Sequence, residues 1–283
     1  GGRGDVGTYP SPGERGDVPK CSPLPSRERG GGEGALPTRS RGRQVTASDW
    51  GGVGLLQTPT ARMRSAGHLT SHFSLAQPYL HGNIFMQPLD WLEAGFRYTD
   101  VSNRLYGPAE LSGSQSYKDK SIDVKIRLWP ESAYVPQIAA GLRDIGGTGL
   151  FSGEYLVASK RTGDFDWSLG MGWGYVGARG NLRNPLGLLS STFDTRNVDT
   201  GQGGQFALTS YFRGPAALFG GIQYQTPWER LSVKLEYDGN DYQREPQANN
   251  QKQSSPWNFG LVYRAGRAAD VTLGFERGNT FTL

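Results

Sequence analysis

The 283-residue chain carries 42 Gly, 17 Pro and seven Trp, with 36% apolar, 11% aromatic and 20% charged residues and a net charge of +4. That aromatic content excludes wholesale disorder and the glycine argues against a helical domain, while one cysteine (Cys21) leaves no disulfide framework and no cysteine-based metal site. Residues 1–45 hold eight Lys/Arg against five Asp/Glu, so the remainder is close to neutral and no nucleic-acid partner is expected.

Residues 1–45 contain 11 Gly and 6 Pro, with near-repeats PSPGERG and PLPSRERG and no apolar periodicity. Such a segment cannot bury enough apolar surface to offset its ordering entropy. It is expected to be a disordered tail, a non-native leader standing where an export signal belongs. Cys21 follows GDVPK rather than the apolar run of a lipid-anchor site. The RGD triplets at 3–5 and 15–17 are short enough to arise by chance.

From about residue 66 the pattern becomes alternation, the period of a β-strand. In WLEAGFRYT (91–99), Leu92, Ala94, Phe96 and Tyr98 share a face opposite Glu93 and Arg97. In SIDVKIRLW (121–129), Ile122, Val124, Ile126 and Leu128 oppose Asp123, Lys125 and Arg127. WSLGMGWGY (167–175), LSVKLEYD (231–238), WNFGLVYR (257–264) and DVTLGFE (270–276) repeat the scheme. The pattern predicts eleven strands, at 66–75, 79–86, 91–99, 121–129, 135–144, 150–160, 165–175, 216–225, 230–238, 256–264 and 270–277. Most are about 9–11 residues, the length a tilted strand needs to cross a bilayer. No run reaches the roughly 18 apolar residues of a membrane-spanning helix, which says nothing against barrel strands.

The links carry a second signal. Short ones (QPLD 87–90, PESAY 130–134, RTGD 161–164, TPWE 226–229, GRAA 266–269) alternate with a set that includes long loops at 100–120, 176–215 and 239–255. Outer-membrane barrels show this asymmetry. FALTSYF (206–212) reads as a strand in isolation, but parity is kept by treating 176–215 as one long outer excursion. Trp91, Trp129, Trp167 and Trp228 fall at the short turns; Trp173 and Trp257, with Tyr98, Tyr175 and Tyr237, fall at the long-loop ends. Two such rings fit the two interfaces of a membrane. The fold class expected is all-β: an antiparallel transmembrane β-barrel of about 10–12 strands over residues 46–283, incomplete because an odd count leaves an unpaired edge.

The inward face is expected to carry Arg97, Asp123, Lys125, Arg127, Arg143, Glu154, Lys160, Lys234 and Glu236. Two readings stay open for it: a path for a hydrated, charged polymer, or a self-neutralising network of salt bridges filling the barrel. His68, His72 and His81 lack an obvious carboxylate or further ligand, and no Gly-x-Ser-x-Gly elbow occurs. No catalytic residue, metal or cofactor is expected. The glycines of RDIGGTGLFSGE (143–154) could cradle an anion, but a tight turn needs them equally.

WLEAGFRYTD (91–100), NRLYG (103–107), SYKDKSIDVKIRLW (116–129), GLRDIGGTGLFSGEYLVASKR (141–161) and GGIQYQTPWERLSVKLEYDGNDYQREP (220–246) together resemble the YjbH-like family of outer-membrane barrels. GLLQTPTARM (54–63) is similar to the start of that family's homologous region. The resemblance covers about residues 50–283 and implies a role in assembly or export of an extracellular polysaccharide at the Gram-negative outer membrane; with no catalytic set visible in the residues, a non-enzymatic role is expected. Implied partners are the exopolysaccharide chain, outer-membrane lipid and other envelope proteins of a capsule or polysaccharide gene cluster. Family members are longer and often lipoproteins, so the chain is expected to be a fragment truncated at its C-terminus. Two other functions remain: a general diffusion channel, and a polysaccharide-modifying envelope enzyme, which would need a catalytic pair.

Overall fold

The computed structural model describes residues 1–2, 45–196, 209–266 and 268–283. The expected leader therefore falls almost wholly outside the described residues, as does part of the 176–215 excursion.

Twelve strands form one antiparallel sheet in sequence order. They are β1 (Leu69–Ala76), β2 (Tyr79–Leu89), β3 (Leu92–Leu105), β4 (Ser116–Trp129), β5 (Gln137–Arg143), β6 (Gly153–Thr162), β7 (Phe165–Gly174), β8 (Ala216–Gln225), β9 (Leu231–Tyr237), β10 (Trp257–Arg264), β11 (Asp270–Glu276) and β12 (Thr280–Thr282). The sheet curls until its ends meet, where Leu75 on β1 and Leu283 beyond β12 exchange two backbone hydrogen bonds at 2.8 and 3.3 Å. The result is a nearly closed barrel with an even strand count. β12 escapes sequence reading because it is three residues long and follows a turn through Arg277, whose φ is +57°.

One expected loop is largely strand. β3 and β4 run on past the rim and stay paired to Val101↔Tyr117, so the 100–120 link shrinks to 106–115 with a one-turn helix, Ala109–Ser112. The short turns and long loops otherwise fall at opposite ends as parity requires, and these are called the short-turn and long-loop ends below.

The alternation decides which way each side chain points. On β4, Ile122, Ile126 and Leu128 are exposed on the outer wall, while Ser121, Asp123 and Lys125 are buried inside. Outer-wall neighbours continue the apolar surface: Phe73, Ile84, Phe96, Leu156, Leu169, Leu218, Phe259, Leu261 and Leu273 are all exposed. Inside, bulky rings sit opposite glycines on the next strand: Phe85 over Gly95, Tyr155 over Gly141, and Phe219 over Gly170. A Cβ at any of these glycines would land in the facing ring. A wide aromatic on one strand is thus accommodated by a missing side chain on its partner.

Trp91, Trp129, Trp167 and Trp228 are exposed at the short-turn end, and Trp257 and Tyr98 at the long-loop end. Trp173 and Tyr175 depart from the expected ring. Trp173 is buried beneath Phe212, ring centroids 5.2 Å apart, and Tyr175 turns inward to pack on Phe151 and Trp50.

Candidate functional site

The barrel interior is filled by the chain's own residues 46–62. This segment shows no alternation and contains Pro59 and three glycines at 51, 52 and 54, a composition suited to turns rather than a strand. It folds into two successive tight turns, marked by isolated bridges Ala47↔Val53 and Gly54↔Pro59. Gly51 adopts φ +88° and lies against Asn83 and Phe85, where a Cβ would collide with both side chains. Both ends of the segment lie at the short-turn end: Thr46 donates to Gln223 near the foot of β8, and Arg62 pairs with Asp166 at the foot of β7.

Its apolar side chains form the interior core. Trp50, Val53, Leu55, Leu56 and Ala61 are all nearly inaccessible. Leu55 and Leu56 fill the space over Gly221 and Gly260, and Ala61 joins a cluster with Ala139, Tyr155, Val157, Val176 and Phe219. Burying a Val or Leu side chain contributes roughly 1.5–3 kcal/mol. The cavities left in this region measure only about 20 and about 10 Å³.

The charged wall residues hold the main chain of this segment. Glu236, fully buried, accepts from the N–H groups of Leu56, Gln57 and Thr58 at 2.9–3.0 Å, from Thr58 Oγ1 at 2.7 Å and from Asn258 Nδ2 at 2.9 Å. Lys234 Nζ donates to the carbonyls of Ala47, Gly54 and Leu55. Lys125 Nζ bonds Glu93 at 2.9 Å and the Val53 carbonyl at 3.1 Å, while Val53 N–H donates back to Glu93. Each of these four buried charges, Glu236, Lys234, Lys125 and Glu93, has a partner, as burial demands. Where the segment leaves the lumen, Gln137 donates to the Ala61 carbonyl, Ser159 accepts from Ala61 N–H, and Arg62 bridges Asp166 and Glu131. Burial opposes ionisation of Glu131 in this turn, but the Arg161 N–H and the Arg62 guanidinium hold its carboxyl below the usual range.

Near the long-loop end two guanidiniums lie over the Trp50 ring, Arg97 at 4.5 Å and Arg143 at 4.3 Å from its centroid, a double cation–π contact. Its indole N–H donates to Gln57 at 2.7 Å, and Gln57 donates on to Glu276. His81, Phe151 and Tyr175 surround the ring at 4.8–5.5 Å. Above them Glu245 accepts from Tyr79, Tyr175 and Asn240; burial raises its carboxyl above the ordinary range. In the β5–β6 loop, burial pushes the Asp144 carboxyl up to about 6, with Asp119 adding to it.

The nine residues assigned to the inward face thus divide. Arg97, Asp123, Lys125, Arg143, Lys234 and Glu236 are buried in the lumen, and Arg127 is half-buried on the same face near the short-turn end. Arg97 pairs with Asp123, so the strand-to-strand network of the second reading exists in part. Glu154 and Lys160 are corrections. β6 pairs Tyr155 with Gly141 and Ser159 with Ser168 on the lumen side, which turns Glu154 and Lys160 outward with Leu156. β6 has apolar residues on both faces, so hydropathy alone does not set its parity. Glu154 is buried by a strap from the 176–215 excursion, where Arg196 pairs with it at 2.7 Å and Phe212 N–H donates at 2.8 Å. Lys160 reaches the carbonyls of Ser132 and Ala133 in the β4–β5 turn. His72 and His81 point inward from β1 and β2, His81 bonding Thr99.

The segment itself escaped the sequence reading of function. Its available signal was the adjacent pair Leu55 and Leu56 beside turn residues, apolar content that neither a strand nor a disordered tail explains.

Residues 46–283 match the family described as "Exopolysaccharide biosynthesis protein YbjH". A protein of Escherichia coli (strain K12) named "Uncharacterized lipoprotein YjbH" is 52% identical over 235 residues, which cover 83% of this chain and 34% of that protein. The chain therefore spans about a third of the length of this curated relative.

Proposed function

The chain belongs to the YjbH family, which is linked to exopolysaccharide biosynthesis, and from that premise we propose that it is an outer-membrane β-barrel assisting assembly or secretion of an extracellular polysaccharide. The observation that carries this reading is the inversion of polarity: the outer wall is apolar between two aromatic zones, while charged groups lie inside. The name of the Escherichia coli relative, a lipoprotein, supports an envelope location. On this reading the short turns face the periplasm and the long loops the exterior, so residues 46–62 enter and leave the lumen from the periplasmic side.

A filled lumen favours a scaffold or a gated component over a general diffusion channel. The role is a non-catalytic one, with Glu236, Lys234, Lys125 and Glu93 spent on holding residues 46–62. Partners of this role are the polymer itself, outer-membrane lipid and other envelope proteins of the polysaccharide machinery. Deleting the full-length gene should lower exopolysaccharide yield or change its composition, and the protein should fractionate with the outer membrane. Unchanged polymer in the deletant, or recovery in a soluble fraction, overturns the reading.

A further inference from the structure

The place occupied by Trp50 has a chemistry of its own. Its walls are the rings of Tyr79, His81, Phe151 and Tyr175, and the guanidiniums of Arg97 and Arg143 both lie over the Trp50 ring. Arg97 is under-bonded and Arg143 is only weakly bonded. Arg97 is fully buried and spends one nitrogen on Asp123, while its Nε and Nη2 have no partner. Arg143 makes one long bond, 3.4 Å to the Gln57 carbonyl, and no ion pair within 4 Å among the described residues. The neighbouring carboxylates are partly engaged elsewhere: Asp119 with Thr148 and Asp144 with the Phe151 N–H, each leaving one oxygen without a partner, and Glu245 with two tyrosines and Asn240. Leaving buried guanidinium N–H groups unpaired is costly, and stacking on an indole recovers only part of that cost.

We propose that this slot is a subsite for an acidic sugar residue of the polymer, with Trp50 as its built-in occupant. An apolar sugar face packs against the surrounding rings, which meet the indole edge-on or tilted, and a uronic carboxylate supplies the acceptors that Arg97 lacks and an ion pair for Arg143. The contacts holding the rest of the segment run largely to its main chain, so they impose little side-chain identity on what they bind. With both ends of residues 46–62 at the short-turn end, the Trp50 turn can withdraw without threading.

This inference rests on the polymer-handling reading above, and its test is independent of it. Calorimetry on the purified full chain compares a glucuronate-containing tetrasaccharide with neutral maltotetraose. Trp50→Ala is expected to bind the acidic probe at least tenfold more tightly than the unaltered chain, and at least tenfold more tightly than it binds maltotetraose. Adding Arg143→Gln should remove that gain. Trp50→Phe keeps a ring in the slot and serves where Trp50→Ala does not fold; it should bind the acidic probe more tightly than the unaltered chain. Equal binding of both probes, or no gain in either variant, overturns the subsite. Unchanged polymer in a deletion strain refutes the cellular role alone and leaves the calorimetric result standing.

Discussion

Replacing Glu236 by alanine should unseat the segment that fills the lumen. Among the described residues its carboxylate is the sole acceptor for the N–H groups of Leu56 and Thr58 and for the Thr58 hydroxyl, and it also serves Gln57 N–H and Asn258. Each buried donor left without an acceptor costs about 1–3 kcal/mol, and Lys234 loses the anion that offsets its charge. Partial relaxation keeps the total near the about 3–5 kcal/mol measured for broken buried charge networks. At 1.4 kcal/mol per tenfold, that raises the unseated population by roughly 10²- to 4 × 10³-fold. The assay is trypsin cleavage after Arg62 and Arg64 in the folded protein, read beside the guanidinium unfolding midpoint. Glu236→Ala should be cut far faster at these sites and unfold earlier, whereas Glu236→Gln, keeping one acceptor oxygen, should fall between. Unchanged cleavage and midpoint in Glu236→Ala would refute the role given to these bonds.

Other perturbations test the wall. Val124→Arg places a charge on the outer wall and, in a bilayer, should cost about 2–4 kcal/mol in a refolding equilibrium; no loss there argues against a lipid-facing surface. Lys125→Met should also destabilise, because it strands Glu93 and the Val53 carbonyl. A freely tolerated Lys125 would instead suit an open, watery lumen. Gly141→Ala drives a methyl into the Tyr155 ring and should cost about 1–3 kcal/mol, recovered in part by Tyr155→Leu. The raised Asp144 carboxyl makes a signed pH prediction. Its protonated form favours the fold, so its contribution is full below the ordinary value of 3.8 and is lost as pH rises through about 6. Asp144→Asn should flatten that dependence and gain on the order of 3 kcal/mol at pH 8. Parallel thermal-stability profiles of the two proteins between pH 4 and 8 would contradict it.

The sequence was most legible where one wall is polar and the other apolar. SIDVKIRLW fixes its own orientation because three charges oppose four aliphatics, and the structure seats Asp123 and Lys125 inside as that pattern demands. Glu154 and Lys160 were illegible for the opposite reason: with Tyr155 and Val157 on one face and Leu156 on the other, either parity buries apolar groups, and only pairing with β5 decides. The strap that shields Glu154 is a contact between residues 42 apart in the chain, which no local pattern reports. The filling of the lumen was missed at the same level. Wall charges announce polar partners without saying whether those are water, each other or main-chain amides, and Trp50, absent from both aromatic zones, was the one tryptophan that pointed to a third place.

The most direct measurement is the ion conductance of the unaltered, refolded chain in planar bilayers. With residues 46–62 seated, the barrel should insert without unitary conductance steps, and Glu236→Ala under the same conditions should show them. Steady open-channel steps from the unaltered protein would contradict a lumen closed by its own segment.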